Sequence, residues 1–261
     1  MEAAFFDLDK TVIAKSSVLA FGRPFYREGL LSKGAIVKSA YAQVIFMLVG
    51  ADEAKMEKLR TAMLHMIRGW NQPHVAAIVR ETLDEVVTPI IFKEALDLIA
   101  EHQAAGRDVV IVSSAPEEVV RPLGEYLGVD DVLATRAEVD EDANYTGELA
   151  FYSYGPHKAD AIRALAAAHG IDLAASWAYS DSITDEPMLR AVGHPVAVNP
   201  DKELARVARA EGWEVRNFAK PVRLRNRMSG REPALAASGA LAAAGGVAVW
   251  WWLRHREHAA A

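Results

Sequence analysis

Phe5-Phe6-Asp7-Leu8-Asp9-Lys10-Thr11 is the stretch whose reading decides the fold. The residues leading into it, Ala3 to Phe6, run without polar alternation and end in two aromatics, the pattern of a strand buried on both faces. A strand that closes on Asp-x-Asp delivers two carboxylates where the chain leaves the sheet. In an open parallel sheet that edge is where ligands bind. Two carboxylates held this close repel each other unless a proton or a cation lies between them. The economical reading is a divalent metal site with one acid left for chemistry. For the motif taken alone, a surface turn is the plain alternative.

Working outward, the chain turns helical after Thr11 and stays so to about residue 88. Ser32, Asp52 and Asn71 stand where helix N-caps belong, and apolar residues recur at three- and four-residue spacing, as in Val75, Ile78, Val79, Leu83 and Val86. This predicts an inserted bundle of about four helices. Its most apolar run, Ala40 to Val49, is too short to cross a bilayer and reads as a buried helix. From residue 89 strands and helices alternate. A helix over Ile90–Ala105 ends at Gly106, and Val109–Val112 forms a second strand. Pro116 opens a helix, and Val132–Val139 and Tyr145–Phe151 form an antiparallel excursion around Asp140–Asn144. A helix over His157–His169 leads to strands at Trp177–Tyr179, Pro195–Val198 and Glu214–Phe218. Such alternation implies an α/β fold, a mostly parallel sheet flanked by helices. His65, His74, His102 and His169 read as surface or packing residues, Arg60 and Arg68 as solvated, and Trp70 and Trp177 as core.

Each core strand hands over polar residues at its C-terminal end: Asp7 and Asp9, then Ser113-Ser114, then Ser180-Asp181-Ser182 with Asp185 following. Right-handed crossovers keep these ends on one edge, and Lys158 begins a helix that reaches it. Singly, Asp181 and Asp185 read as helix caps, Lys158 as a surface charge and Ser113 as a turn residue. Together they fit phosphoryl transfer. Mg²⁺ takes one or two carboxylates plus phosphate and water, which Asp7 and Asp181 can supply. Ser113, nearby amides and Lys158 would hold phosphate oxygens. With no cysteine in the chain, and no histidine or serine in a triad-like setting, a carboxylate is the natural nucleophile, with the second acid as proton donor and acceptor.

The ordered set Asp7-x-Asp9-x-Thr11, Ser113, Lys158 and Asp181-Ser-x-x-Asp185 resembles the four motifs of the haloacid dehalogenase superfamily. The helical insertion after the first motif resembles its class IB, phosphoserine-phosphatase-like branch. The whole chain is also similar to actinobacterial inhibition-of-morphological-differentiation proteins. The resemblance implies a Rossmann-like catalytic core over residues 1–13 and 89–218 with a helical cap over 14–88. It implies Asp7 as nucleophile and Asp9 as general acid/base. Mg²⁺ would be held by the Asp7 side chain, the Asp9 carbonyl and Asp181, supported by Asp185. Thr11, Ser113, Ser114 and Lys158 would bind phosphate. Phosphoserine phosphatases carry a glutamate nine positions after the nucleophile. Here that position is Ser16, with Lys15, Arg23 and Arg27 nearby, which favours a more anionic phosphomonoester than phosphoserine.

Composition bounds the partners. Of 261 residues, 51% are hydrophobic and 25% charged, an ordinary soluble balance. The net charge of −6 is uneven: residues 219–261 hold seven Lys/Arg against two Asp/Glu, leaving the first 218 residues at −11. An acidic body argues against nucleic acid, and without a signal peptide at the front the catalytic part is expected in the cytoplasm. After a basic linker (219–232), residues 233–253 carry no charge and end in Trp250-Trp251-Trp252-Leu253, followed by a short tail (254–261). That is the length and the interfacial tryptophan pattern of a transmembrane helix; a soluble or disordered alanine-rich tail is the alternative. The expectation is an enzyme anchored at the cytoplasmic face of the membrane, acting on a small phosphorylated metabolite or a phospholipid headgroup. A phosphotransferase to an alcohol, or a non-catalytic tethered regulator, would share the motifs.

Overall fold

In the computed structural model, which describes residues 1–32 and 53–219, β1 (Ala3–Phe6) is the middle strand of a seven-stranded sheet. The other strands are β2 (Asp108–Pro116), β3 (Asp131–Val139), β4 (Tyr145–Phe151), β5 (Trp177–Ser180), β6 (His194–Val198) and β7 (Glu214–Arg216). Their spatial order is β4-β3-β2-β1-β5-β6-β7, parallel throughout except for β4, which runs antiparallel to β3. Strand order therefore reverses at β1, between β2 on one side and β5 on the other. A crevice opens at such a switch point beyond the strand C-termini.

Both faces of the sheet are covered, as the unbroken apolar strands require. On one face Phe6, Ile111, Tyr179 and Val196 pack with Val79 of α4 (Gln72–Val87), Leu98 and Ile99 of α5 (Lys93–Ala104), and Val120 and Leu123 of α6 (Glu117–Leu127). On the other, Phe5, Val110, Val112 and Ala178 pack with Ile162 of α7 (Pro156–His169), Leu189 of α8 (Glu186–Leu189) and Leu204 of α9 (Lys202–Glu211). Phe5 and Phe6 point to opposite faces because strand side chains alternate. Each is fully buried, and burial of such a side chain stabilises by about 1.5–3 kcal/mol.

Between Val12 and Phe92 the chain leaves the core and returns. The two ends pair as a short ribbon: Ala14 N–H donates to Ile90 O at 2.7 Å and Phe92 N–H to Val12 O at 3.0 Å. Four of the described helices belong to this excursion: α1 (Ser17–Ala20), α2 (Gly22–Arg27), α3 (Glu53–Ile67) and α4. Asn71 caps α4 as its side chain accepts from His74 N–H at 3.2 Å. Asp52 and the run Ala40–Val49 lie outside the described residues, as do residues 220–261 with the proposed anchor. No helix among the described residues is long and apolar enough to cross a membrane.

Local boundaries depart from expectation in instructive places. β2 continues through Ser113-Ser114 to Pro116, so α6 starts one residue later, at Glu117. Edge pairing of Pro116 with Thr135 extends the strand. The Val132–Phe151 hairpin is antiparallel as expected, and β3 also pairs in parallel with β2, which makes the hairpin the sheet's outer edge. β7 stops at Arg216, and Asn199 then takes over: it accepts from Phe218 N–H at 2.9 Å and donates to Phe218 O at 3.0 Å.

Candidate active site

Asp7 is the first residue beyond β1, and its backbone N–H is tied to Tyr179 O at 2.9 Å. Asp181 is the first residue beyond β5, so the β1–β5 pairing sets these two acids on one edge. Lys158 arrives from α7, the helix entered after Gly155. Gly155 has φ +55, and its missing side chain would approach Thr184 O to 3.8 Å, so a left-handed residue packed against the Asp185 loop begins the helix. From there the Lys158 ammonium donates to Asp7 Oδ1 at 2.6 Å and to Asp185 Oδ2 at 2.8 Å. Ser180 Oγ donates to the same Asp185 oxygen at 2.7 Å.

All four charged groups are out of water: Asp7, Lys158, Asp181 and Asp185 are exposed by 6%, 2%, 8% and 3%. Burial pushes the Asp7 carboxyl up to about 8; Lys158 opposes this, while Asp185 and Asp181 add to it. Burial likewise lifts Asp181 to about 7, against the pull of Lys10, whose ammonium is 3.9 Å away. For Lys158 burial favours the neutral amine, but Asp185 and Asp7 outweigh it and keep the proton on. Three buried carboxylates thus share one buried ammonium, leaving excess negative charge that calls for a cation or protons.

Asp9 sits one turn further on. Its Oδ1 accepts from Ser17 N–H at 2.9 Å, at the start of α1, and burial raises its carboxyl despite that bond. Between Asp9 and Thr11, Lys10 holds φ +65 and donates its N–H to Ile13 O at 2.6 Å. A left-handed lysine is strained backbone, and here it lies in the tight turn between Asp9 and Ile13. Ser113 is buried, its Oγ accepting from Ala115 N–H at 3.1 Å, whereas Ser114 is exposed. Thr11 is fully buried with no partner for its hydroxyl.

The donor set suits a hard divalent ion. Asp7 and Asp181 offer carboxylate oxygens, and Mg²⁺ is held by one or two such groups with water and phosphate completing its shell. Asp185, expected in a supporting role, lies at the same edge, where its Oδ2 accepts from Lys158 and Ser180. Among the described residues, no three His, Asp or Glu side chains form a metal-holding group. A separate cavity of about 520 Å³, lined by Trp177, His194 and Trp213, opens at the opposite, strand-start edge and contains none of these acids.

Sequence reasoning missed the roles of two residues. Ser180 was visible as a polar strand end, but its bond to Asp185 depends on a bend in the chain. Ser17 holds Asp9 through its backbone, which no residue type advertises. Of the histidines read as surface or packing residues, His102 is a buried packing residue whose Nε2 lies 2.8 Å from the Tyr179 hydroxyl.

A parallel sheet reversing at β1, with Asp-x-Asp at the switch point and a buried lysine reaching it from α7, defines a hydrolase class. The chain belongs to the haloacid dehalogenase-like hydrolase family, whose model matches residues 4–190. It is 52% identical over 261 residues, covering 98% of this chain and 94% of the relative, to an inhibition of morphological differentiation protein of Streptomyces azureus. It is 54% identical over 238 residues, covering 91% and 83%, to a probable phosphatase of Mycobacterium tuberculosis. Among solved structures, a protein of unknown function from Bordetella pertussis aligns with a TM-score of 0.72 at 27% identity, covering 82% of this chain and 97% of that one. The family and the probable phosphatase among the relatives support a phosphatase.

Proposed function

We propose that this chain is a Mg²⁺-dependent phosphomonoesterase that works through a phosphorylated Asp7. The observation that carries the reading is the buried bridge from Lys158 to Asp7 and Asp185 at 2.6 and 2.8 Å, with Asp181 adding further negative charge at the same edge. Lys158 engages Asp7 Oδ1 and fixes the carboxylate, so that Oδ2 is the attacking oxygen. That oxygen forms a bond to phosphorus as the ester oxygen leaves, and Asp9 donates a proton to the departing oxygen. Asp9, now a carboxylate, takes a proton from water, whose oxygen attacks phosphorus and releases Asp7 and inorganic phosphate. Asp7, Asp181 and the Asp9 carbonyl would hold Mg²⁺, which when bound would supply charge neutralisation for the approach of an anionic carboxylate to phosphate. Ser113 and Lys158 supply donors to the phosphate oxygens.

Phosphate release from p-nitrophenyl phosphate, with and without Mg²⁺, tests the reading on wild type and Asp7→Asn. Activity that needs Mg²⁺ and is lost in Asp7→Asn is expected; a wild type that releases no phosphate, or an equally active variant, overturns it. We also propose that residues 233–253 anchor the enzyme at the cytoplasmic face of the membrane. The support is a charge-free run of suitable length with three tryptophans at its end. The substrate would then be a small phosphorylated metabolite or a phospholipid headgroup. Membrane fractionation of the full chain beside a version ending at Phe218 decides the anchor: both soluble would end it.

A further inference from the structure

Besides its covalent ends at Val12 and Phe92 and the packing of α4 on the sheet and on α6, the helical excursion meets the core at the β3–β4 hairpin. The segment Gly69–Gln72, between α3 and α4, lies along the tip of the β3–β4 hairpin. Gly69 N–H donates to Tyr145 O, Tyr145 N–H to Trp70 O and Gln72 N–H to Ala143 O, each at 2.9 Å. Asn71 Nδ2 adds bonds to Asp142 O at 3.2 Å and Asn144 Oδ1 at 3.3 Å. Gln72 Nε2 then reaches across to Glu118 Oε1 at 2.6 Å, in the first turn of α6 directly after the strand that carries Ser113. Glu118 is buried, and its second oxygen has no partner.

The ribbon and the apolar packing of α4 on the sheet and on α6 set the excursion's place on the core. Hydrogen bonds to the hairpin add a directional hold that apolar packing lacks. The hairpin is a firm anchor for it, because the Asp140 side chain accepts from both Asp142 N–H at 3.0 Å and Asn144 N–H at 2.8 Å. Trp70, inside the clasp, packs on Phe25 of α2 with ring centroids 6.1 Å apart, and Phe25 on Phe21 at 6.2 Å. Phe21 joins α2 to α1, whose first residue is Ser17. The path therefore ends on the amide that holds the Asp9 carboxylate at 2.9 Å.

We infer that the clasp of Gly69–Gln72 on the hairpin, pinned by Gln72 and Glu118, positions Asp9 for proton transfer through Trp70, Phe25 and Ser17. Gln72 and Glu118 are positioning residues; neither touches the reacting atoms. This rests on the reading of Asp9 as general acid, and it adds a specific signature. A misplaced acid costs most where the leaving oxygen needs a proton, as in an alkyl phosphate, and least where it does not, as in p-nitrophenyl phosphate.

The test uses the full chain with Gln72→Leu and Asn71→Ala. Each variant is expected to lose about tenfold or more in kcat on glycerol phosphate while losing less than about threefold on p-nitrophenyl phosphate. Equal losses on both substrates, or none on either, overturn the inference. Amide hydrogen exchange at Ser17 is the second measurement, and it does not depend on activity. Exchange about tenfold faster in Gln72→Leu is expected; unchanged protection overturns the inference. An inert wild type would sink the phosphatase reading alone, and the Ser17 exchange rate would still decide the clasp.

Discussion

Replacing Lys158 with methionine keeps much of the side chain's volume and deletes its charge. The ammonium lies 2.6 Å from one buried carboxylate and 2.8 Å from another, with the lysine side chain 3% exposed. Breaking a buried pair in this way costs about 3–5 kcal/mol, because it strands charge that water cannot reach. Here two carboxylates are stranded, so the upper end applies, a large share of the roughly 5–15 kcal/mol that holds a domain together. The loss should also depend on pH. Asp7 is already held above its ordinary value by burial and by the other acids, with Lys158 opposing. Without Lys158 its folded value rises further above the unfolded value of about 3.9. A group raised on folding stabilises below its unfolded value and loses that stability as pH rises through the folded one. Wild type and variant lose this contribution alike until the wild-type folded value of about 8 is reached, so the Lys158→Met deficit should grow between about pH 7 and about pH 9. Urea unfolding followed by circular dichroism at both pH values measures it, and Lys158→Met/Asp185→Asn should recover at least about 1 kcal/mol by removing one stranded charge. A single variant within about 1 kcal/mol of wild type at both pH values would refute the claim that this lysine neutralises buried acid.

Three further expectations follow from particular contacts. Burial lowers the His102 imidazole to about 4, so the folded protein resists a proton that the unfolded chain accepts at about 6.5. Stability is present above that value and falls as pH drops toward 4, by at most about 3 kcal/mol; an NMR titration placing His102 near 6.5 would contradict it. Ala143 holds φ +60 at the hairpin tip, so Ala143→Gly should leave the melting temperature unchanged or raise it, by no more than about 1 kcal/mol in stability, and a marked loss would contradict it. Mg²⁺ at about 100 times its Kd should stabilise wild type by about 2.7 kcal/mol, and calorimetry should find that gain reduced in Asp181→Asn.

The sheet was legible because it depends on local pattern. Ala3–Phe6 announces a doubly buried strand, and the acids, serines and lysine fall at the ends of strands or the start of a helix. What stayed hidden depends on partners far apart in sequence. The three bonds from Gly69–Gln72 to Ala143–Tyr145 are made by backbone groups, which carry no residue signature. Glu118 reads as an ordinary acid in a first helical turn until Gln72 arrives to bury it. His102 looks like its scattered neighbours, and only the β1–β5 pairing sets Phe6 and Tyr179 together against its ring. Arg60 reads as solvated, yet it lies over the Tyr152 ring at 5.2 Å. The reach of α3 to the hairpin side brings it there.

The ribbon between Val12–Ala14 and Ile90–Phe92 carries a consequence for how such proteins diversify. Because the two crossing points are hydrogen-bonded neighbours, the chain leaves and re-enters the core at one place beside β1. The segment strung between them nevertheless reaches back through Val79 to the sheet, through Gly69–Gln72 to the hairpin and through Ser17 to Asp9. A rebuilt excursion would keep the same strands only if it kept those three holds.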